Sequence, residues 1–103
     1  NNSHVMLVKE GNVFHMNFAE EVTFVNRGAI VKELDGLKPG SNLELDVRKT
    51  RILDYDIIEY LDEFKVKAKN NNINIRLISE RGTVDNPPSF REFFGYVLVA
   101  GAH

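Results

Sequence analysis

Three basic residues stand close together near the middle of the sequence, where they could hold an anion. Arg48, Lys49 and Arg51 follow a segment of alternating apolar and acidic residues and precede a segment with helical periodicity. Guanidinium and ammonium groups bind phosphate, and a nearby helix N-terminus adds backbone N–H groups and the positive end of a dipole. The three side chains are therefore candidates for contact with an anion or a nucleotide phosphate. A solvated loop is the alternative that we favour.

Two carboxylates that flank a tyrosine follow this loop. Asp54 and Asp56 could act as a general acid and base, but no nucleophile or oxyanion-stabilising group lies near them in the sequence. We favour a helix N-cap for Asp54, because its carboxylate can accept a backbone N–H from the first turn. Asp56 adds negative charge that suits the helix dipole. Together with Tyr55 they form a predicted regulatory or interaction surface at this helix N-terminus.

Other kinds of site find little support in the sequence. The absence of cysteine excludes thiol catalysis, disulfides and cysteine-based zinc sites. The histidines, His4, His15 and His103, lack the spacing of metal ligands. Glycine-rich phosphate loops and the nucleophile elbow of hydrolases are also absent. We therefore predict no metal, no cofactor and no enzymatic activity.

Length and charge set the class of protein. The chain has 103 residues and a net charge of −2. A chain of this length can bury one core, so we predict a single domain over residues 1–103, with residues 1–4 as a linker. The negative charge argues against a general nucleic-acid binder. No segment reaches the roughly 20 apolar residues that span a bilayer, so we expect the isolated chain to be soluble.

The helix that begins near Asp54 has the strongest pattern in the chain. Its apolar residues recur at a period of 3.6, which predicts one buried face; they are Ile57, Ile58, Leu61, Phe64 and Ala68. On the opposite face, Glu63 and Lys67 have the spacing and order of a favourable ion pair. The run of asparagines over residues 70–72 predicts the end of the helix, because asparagine tolerates the left-handed conformation.

The remaining elements are predicted from alternation and from turn residues. Strands are expected at Val5–Lys9, Val13–Phe18, Leu43–Val47 and Ile73–Leu77. A loop and then a helix are expected within Glu20–Leu37, with Thr23 as the N-cap and Phe24 on the apolar face. Glu80–Pro88 is expected to be a loop, followed by a helix that starts at the capping box Ser89–Glu92. Val97–Ala102 is expected to be the tail of that helix or a short strand.

These elements predict an α/β fold with a mixed sheet of about four strands. The strands alternate apolar and polar residues, whereas strands covered on both faces are continuously apolar. We therefore expect the helices to lie mainly on one face of the sheet. The predicted core consists of Phe14, Met16, Phe18, Ile30, Leu34, Leu45, Val47, Ile57, Leu61, Phe64, Ile75 and Leu77.

The central part of the sequence resembles a known family. The segment LELDVRKTRILDYDIIEYLDEF, preceded by VTFVNRGAIVKELDGLKPGS, looks like a STAS domain (sulfate transporter and anti-sigma factor antagonist). The resemblance covers roughly residues 13–79. It is closest to the C-terminal cytoplasmic domain of bacterial sulfate-permease-family anion transporters, as suggested by Phe24-Val25-Asn26-Arg27 and Leu53-Asp54-Tyr55-Asp56-Ile57.

The resemblance implies a STAS fold and a non-catalytic regulatory or interaction role. The implied partners are the transmembrane domain of the same transporter, for sulfate or bicarbonate, and other cytoplasmic proteins. The implied location is the cytoplasmic face of the inner membrane. Weak nucleotide binding is a trait of the family that is not visible in these residues, and nucleic acid is not an expected partner.

A free-standing anti-sigma factor antagonist in a partner-switching pathway is the alternative. That branch of the family carries Asp-Ser-Ser/Thr-Gly where this chain has Asp54-Tyr55-Asp56-Ile57. Its first serine is phosphorylated by a partner kinase. Here the aspartate matches and Tyr55 occupies the position of the phosphate acceptor, which favours the transporter-linked interpretation.

Overall fold

A computed structural model describes residues 5–95, and four of its strands lie, within a residue or two, where the alternating segments predict them. Within those residues the strands are β1 Val5–Glu10, β2 Val13–Phe18, β3 Glu21–Val22, β4 Asn42–Asp46, β5 Ile52–Leu53, β6 Asn74–Ser79 and β7 Gly82–Asp85. The α-helices of the same range are α1 Arg27–Asp35, α2 Tyr55–Asn70 and α3 Phe90–Gly95. A 3-10 turn at Phe24–Asn26 leads into α1.

Five of the strands form a mixed sheet in the order β1-β2-β4-β6-β7. The central strands β2, β4 and β6 are parallel, and the outer strands β1 and β7 are antiparallel to their neighbours. The tight turn between β1 and β2 uses Gly11, whose φ of +63° suits glycine. Strands β3 and β5 pair separately in parallel. The carboxyl ends of the three parallel strands therefore meet at one edge of the sheet.

The two faces of the sheet differ in polarity, as the alternation predicts. Met16, Leu45 and Leu77 are aligned across β2, β4 and β6, and each is 0% exposed. Their neighbours one position earlier face the other way and form a polar row; these are His15, Glu44 and Arg76. Within residues 5–95 the helices therefore lie mainly on the apolar face, as expected.

The core prediction is confirmed except at one position. All of the predicted core residues are buried apart from Phe14, which is partly buried and packs against the core. Further apolar residues complete the cluster, and the main additions are Val22, Leu53, Tyr60, Phe90 and Phe94. Val22 and Leu53 belong to the small β3–β5 sheet, whose two-residue strands are too short to show alternation.

Gly82–Asp85 forms β7, which adds a fifth strand to the main sheet. The prediction of this segment as part of a loop was wrong. The strand pairs with β6 through the backbone and directs only Val84 toward the core, opposite Leu77. One inward side chain leaves no periodic pattern in the sequence. Val97–Ala102 lies outside the described residues. Among residues 5–95, no helix is long and apolar enough to cross a membrane.

Candidate functional site

The start of α2 is held against the 3-10 turn by Asp54. This residue has the extended backbone of an N-cap, but its carboxylate makes no hydrogen bond to its own helix. Instead Asp54 Oδ2 accepts a hydrogen bond from the backbone N–H of Phe24, at 2.7 Å. Pairing of Val22 with Leu53 brings these two segments together. Asp54 is therefore the N-cap residue of α2, as predicted, but the prediction that its carboxylate bonds the first turn of that helix was wrong, since it binds the 3-10 turn that precedes α1.

Tyr55 is the first residue of α2 and lies against α3. It is 40% exposed, and the guanidinium carbon of Arg91 in α3 lies 5.4 Å from the centre of its ring. This geometry allows a cation–π interaction. Asp56, in the first turn of α2, is exposed. The three predicted surface residues are therefore adjacent, although Asp54 is occupied by a structural hydrogen bond.

Two apolar residues of the 3-10 turn are exposed, and the prediction for one of them, Phe24, was wrong. Phe24 and Val25 are 65% and 73% exposed, whereas the helical pattern had put Phe24 on a buried face. Thr23 does cap the turn as predicted, since its Oγ1 accepts from the N–H of Val25 at 3.4 Å. Asn26 is the buried member of the turn, and its Oδ1 accepts from the N–H of Thr23 at 2.8 Å. Because the Asn26 side chain occupies the buried position of the turn, the side chains of Phe24 and Val25 are exposed to solvent.

The basic candidates lie in the loop that follows β4. Arg48 is bound to Asp46, with 2.6 Å between Nη2 and Oδ2 and 3.0 Å between Nε and Oδ1. Arg51 Nε lies 3.7 Å from Glu20 Oε2. Lys49 is exposed, and no carboxylate of the described residues lies within ion-pair distance of it. An anion at this loop would have to compete with Asp46 for Arg48, so anion or nucleotide binding stays a prediction.

Electrostatics reinforce the pairing at this loop. The hydrogen bonds from the Arg48 side chain lower the pKa of Asp46, and partial burial of the carboxylate opposes that shift. The same bonds raise the pKa of Arg48. The carboxylate is therefore charged at neutral pH and directs the guanidinium toward β4.

The loop and the start of α2 share the carboxyl edge of the parallel strands, where α/β folds commonly place ligand sites. Thr50 fixes the loop there, because it is buried and its hydroxyl donates to the carbonyl oxygen of Phe18 at 3.3 Å. Three surface grooves are lined by other parts of the chain. Residues 5–95 hold no cluster of three acidic or histidine side chains that could bind a metal ion.

Comparisons with known proteins add no relative. No protein-family model matches the chain, and neither the curated proteins nor the solved structures yielded a match. The structure defines an α/β domain with a mixed five-strand sheet and three described helices.

Proposed function

We propose that this chain is a STAS-type domain that regulates a membrane transporter of inorganic anions, of the sulfate or bicarbonate type. Its role is non-catalytic: it contacts the membrane part of the same protein, and other cytoplasmic proteins, from the cytoplasmic face of the inner membrane. Any nucleotide binding would be weak and would use the loop that carries Arg48, Lys49 and Arg51.

The observation that supports this proposal most is the position of Tyr55. It occupies the place where the antagonist branch of the family has its phosphorylated serine, at the start of the helix after the third strand of the predicted pattern. In the structure it is 40% exposed and follows Asp54, whose carboxylate binds the backbone of the turn that carries the exposed Phe24 and Val25. An aromatic and apolar surface suits a lasting protein contact.

The state of the nearby carboxylates supports a non-catalytic role. Asp54 accepts a backbone hydrogen bond, and Asp46 is held by Arg48. A general base must reach a substrate proton, and both of these carboxylates are already engaged in structural bonds. The exposed Asp56 has no nucleophile beside it in the sequence.

The gene and a transport assay test the proposal. Ten or more hydrophobic spans encoded upstream of Asn1 would support the transporter, whereas an in-frame start near Met6 would support the free antagonist. In the intact protein, Tyr55→Ala should reduce uptake of labelled sulfate or bicarbonate while the isolated domain stays folded. Tyr55→Phe, which keeps the ring, is the matched control. Full uptake in the alanine variant would contradict a contact role for this residue.

A further inference from the structure

Exposed apolar side chains stand on the 3-10 turn and at the start of α2, two elements that contact each other. Phe24 and Val25 are largely exposed, and the hydrogen bond from the Phe24 N–H to Asp54 holds their backbone at the N-terminus of α2, where the exposed Tyr55 follows Asp54. Large apolar side chains that are exposed together usually mark a contact site. Nothing in the local backbone requires them, since the turn is already capped by Thr23 and Asn26.

Acidic residues continue this surface along the outer face of α2. Asp56, Glu59 and Glu63 are all exposed, and no basic nitrogen of residues 5–95 lies within ion-pair distance of them. The predicted Glu63–Lys67 pair is not formed, because Lys67 Nζ lies 3.4 Å from Asp35 Oδ1. Like charges at three- and four-residue spacing repel one another on a helix. A basic partner would relieve that repulsion.

The neighbouring arginines reduce the negative charge of the surface without cancelling it. Arg27 lies over the ring of Tyr60, with 5.5 Å from the guanidinium carbon to the ring centre, and Arg91 stacks on Tyr55. Arg51 faces Glu20. The carboxylates of Asp56, Glu59 and Glu63 outnumber the two guanidinium groups of Arg27 and Arg91, so the net charge presented to a partner is negative.

We propose that this surface binds a basic amphipathic segment, with apolar side chains against the turn and lysines or arginines against α2. We call it the α2 surface; it consists of Phe24, Val25, Tyr55, Asp56, Glu59 and Glu63. The occupant is a cytoplasmic loop of the membrane part, an identity that rests on the proposed function. Such loops carry an excess of lysine and arginine, which gives the charge complementarity.

Two synthetic peptides test the chemistry of the surface on the isolated chain. One is an amphipathic peptide of leucine and lysine of about 18 residues, or five helical turns. The other has the same leucines with glutamate in place of lysine. Fluorescence anisotropy should show saturable binding of the lysine peptide only, weakened by added salt because the contact is partly ionic. Equal binding of both peptides, or binding of neither, would overturn the proposal.

Matched variants locate the binding. Phe24→Ser/Val25→Ser and Glu59→Lys/Glu63→Lys should each weaken binding of the lysine peptide by at least about tenfold. The controls are Val8→Ser, at an exposed position of the sheet, and Glu33→Lys, at an exposed position of α1. An amide NMR spectrum of each variant checks the fold. Equal losses of peptide binding in the test and control variants would contradict the assignment of binding to the α2 surface. Two independent test variants are used so that one of them can still decide the question if the other misfolds.

Cross-linking in the full-length gene product separates this inference from the proposed function. A photoreactive amino acid at Val25 should cross-link to a basic cytoplasmic loop, and one at Val8 should not. Cross-links from Val25 to a different protein would overturn the loop as occupant, even if the lysine peptide binds. A gene without membrane spans would refute the proposed function and the loop, whereas the peptide result would still decide the chemistry of the α2 surface.

Discussion

The carboxylate of Asp54 accepts a hydrogen bond from the backbone N–H of Phe24, at 2.7 Å and across 30 positions of the chain. Asp62 in α2 does the same for α3, accepting from the N–H groups of Phe90 and Arg91 at 2.7 and 3.1 Å. Asp54 thus binds a free N–H group at the start of the 3-10 turn, and Asp62 binds two at the start of α3. These bonds tie the starts of both neighbouring elements to α2.

Removal of the Asp54 carboxylate should loosen the 3-10 turn. We expect Asp54→Ala to lower the free energy of unfolding by roughly 0.5–2 kcal/mol, the range for loss of an N-cap. Asp54→Asn keeps an oxygen acceptor and should lose much less. Urea unfolding measures both, and hydrogen exchange at the Phe24 amide should accelerate in the alanine variant. Equal losses from both variants would indicate a role for the charge instead.

A control at the neighbouring carboxylate makes this test specific. Asp56→Ala removes an exposed side chain without an ion pair among the described residues, so its effect on stability should stay within about 0.5 kcal/mol. A larger effect would mean that charge at the start of α2 matters more than the contact with the turn.

Asp62 should matter for the attachment of α3. Asp62→Ala leaves the N–H groups of Phe90 and Arg91 without their acceptor, and we expect a loss of about 1–3 kcal/mol. Phe90 and Phe94 are the residues of α3 that are buried in the core, so their ring signals in NMR spectra should shift in the variant. Unchanged ring signals would show that packing alone holds the helix. Exposed Glu59, replaced by alanine, is the matched control on α2.

Leu61 tests the orientation of α2. Its side chain is fully buried in the core, and Leu61→Ala should cost about 2–5 kcal/mol because it leaves a cavity. The midpoint of denaturant unfolding measures the loss. Val66→Ala, at an exposed position of the same helix, should have little effect. Equal unfolding midpoints for the two variants would contradict the orientation in which Leu61 faces the sheet and Val66 faces solvent.

Stability at alkaline pH should depend on Tyr60. Burial, together with its hydrogen bond to Asp35 at 2.9 Å, raises the pKa of Tyr60 above the ordinary value of 10.0. The folded state then keeps a proton that the unfolded state loses, so the free energy of unfolding is unaffected by this group below pH 10 and falls as the pH rises above it.

Comparison of variants isolates this contribution. Tyr60→Phe should flatten the fall in unfolding free energy above pH 10, and Tyr55→Phe, which removes an exposed hydroxyl, should not. Urea unfolding at a series of pH values measures the slopes. The same slope in wild-type protein and the Tyr60 variant would assign the fall to other groups.

No phosphate switch should operate at the start of α2. Incubation with an anti-sigma factor kinase and ATP should leave Ser41, Thr50 and Tyr55 without stoichiometric phosphate, as mass spectrometry can show. Thr50 is buried, and the hydroxyl of Ser41 donates to the carbonyl oxygen of Lys38 at 2.6 Å. A phosphoryl group would bring close to two negative charges and could remake a docking surface. Full phosphorylation of any of the three would favour the antagonist alternative.

Periodicity in the sequence determined the main elements and their inward faces. The stripe that contains Ile57, Leu61 and Phe64 predicted the buried side of α2, and alternation predicted one covered face of the sheet. Each of these patterns reflects burial repeated over several turns or pairs. Strand β7 escaped prediction because backbone hydrogen bonds form it and only Val84 points inward.

Tertiary structure decided the partners of the charged groups whose bonds join distant segments. Spacing offered Lys67 the nearby Glu63, yet its ammonium lies beside Asp35 of α1. Spacing also offered Asp54 its own helix, yet the pairing of β3 with β5 supplies the N–H of Phe24. A short segment shows only the local candidates for a bond. Distant elements that pack alongside supply competitors of similar strength, so the choice follows from how the helices and strands are assembled.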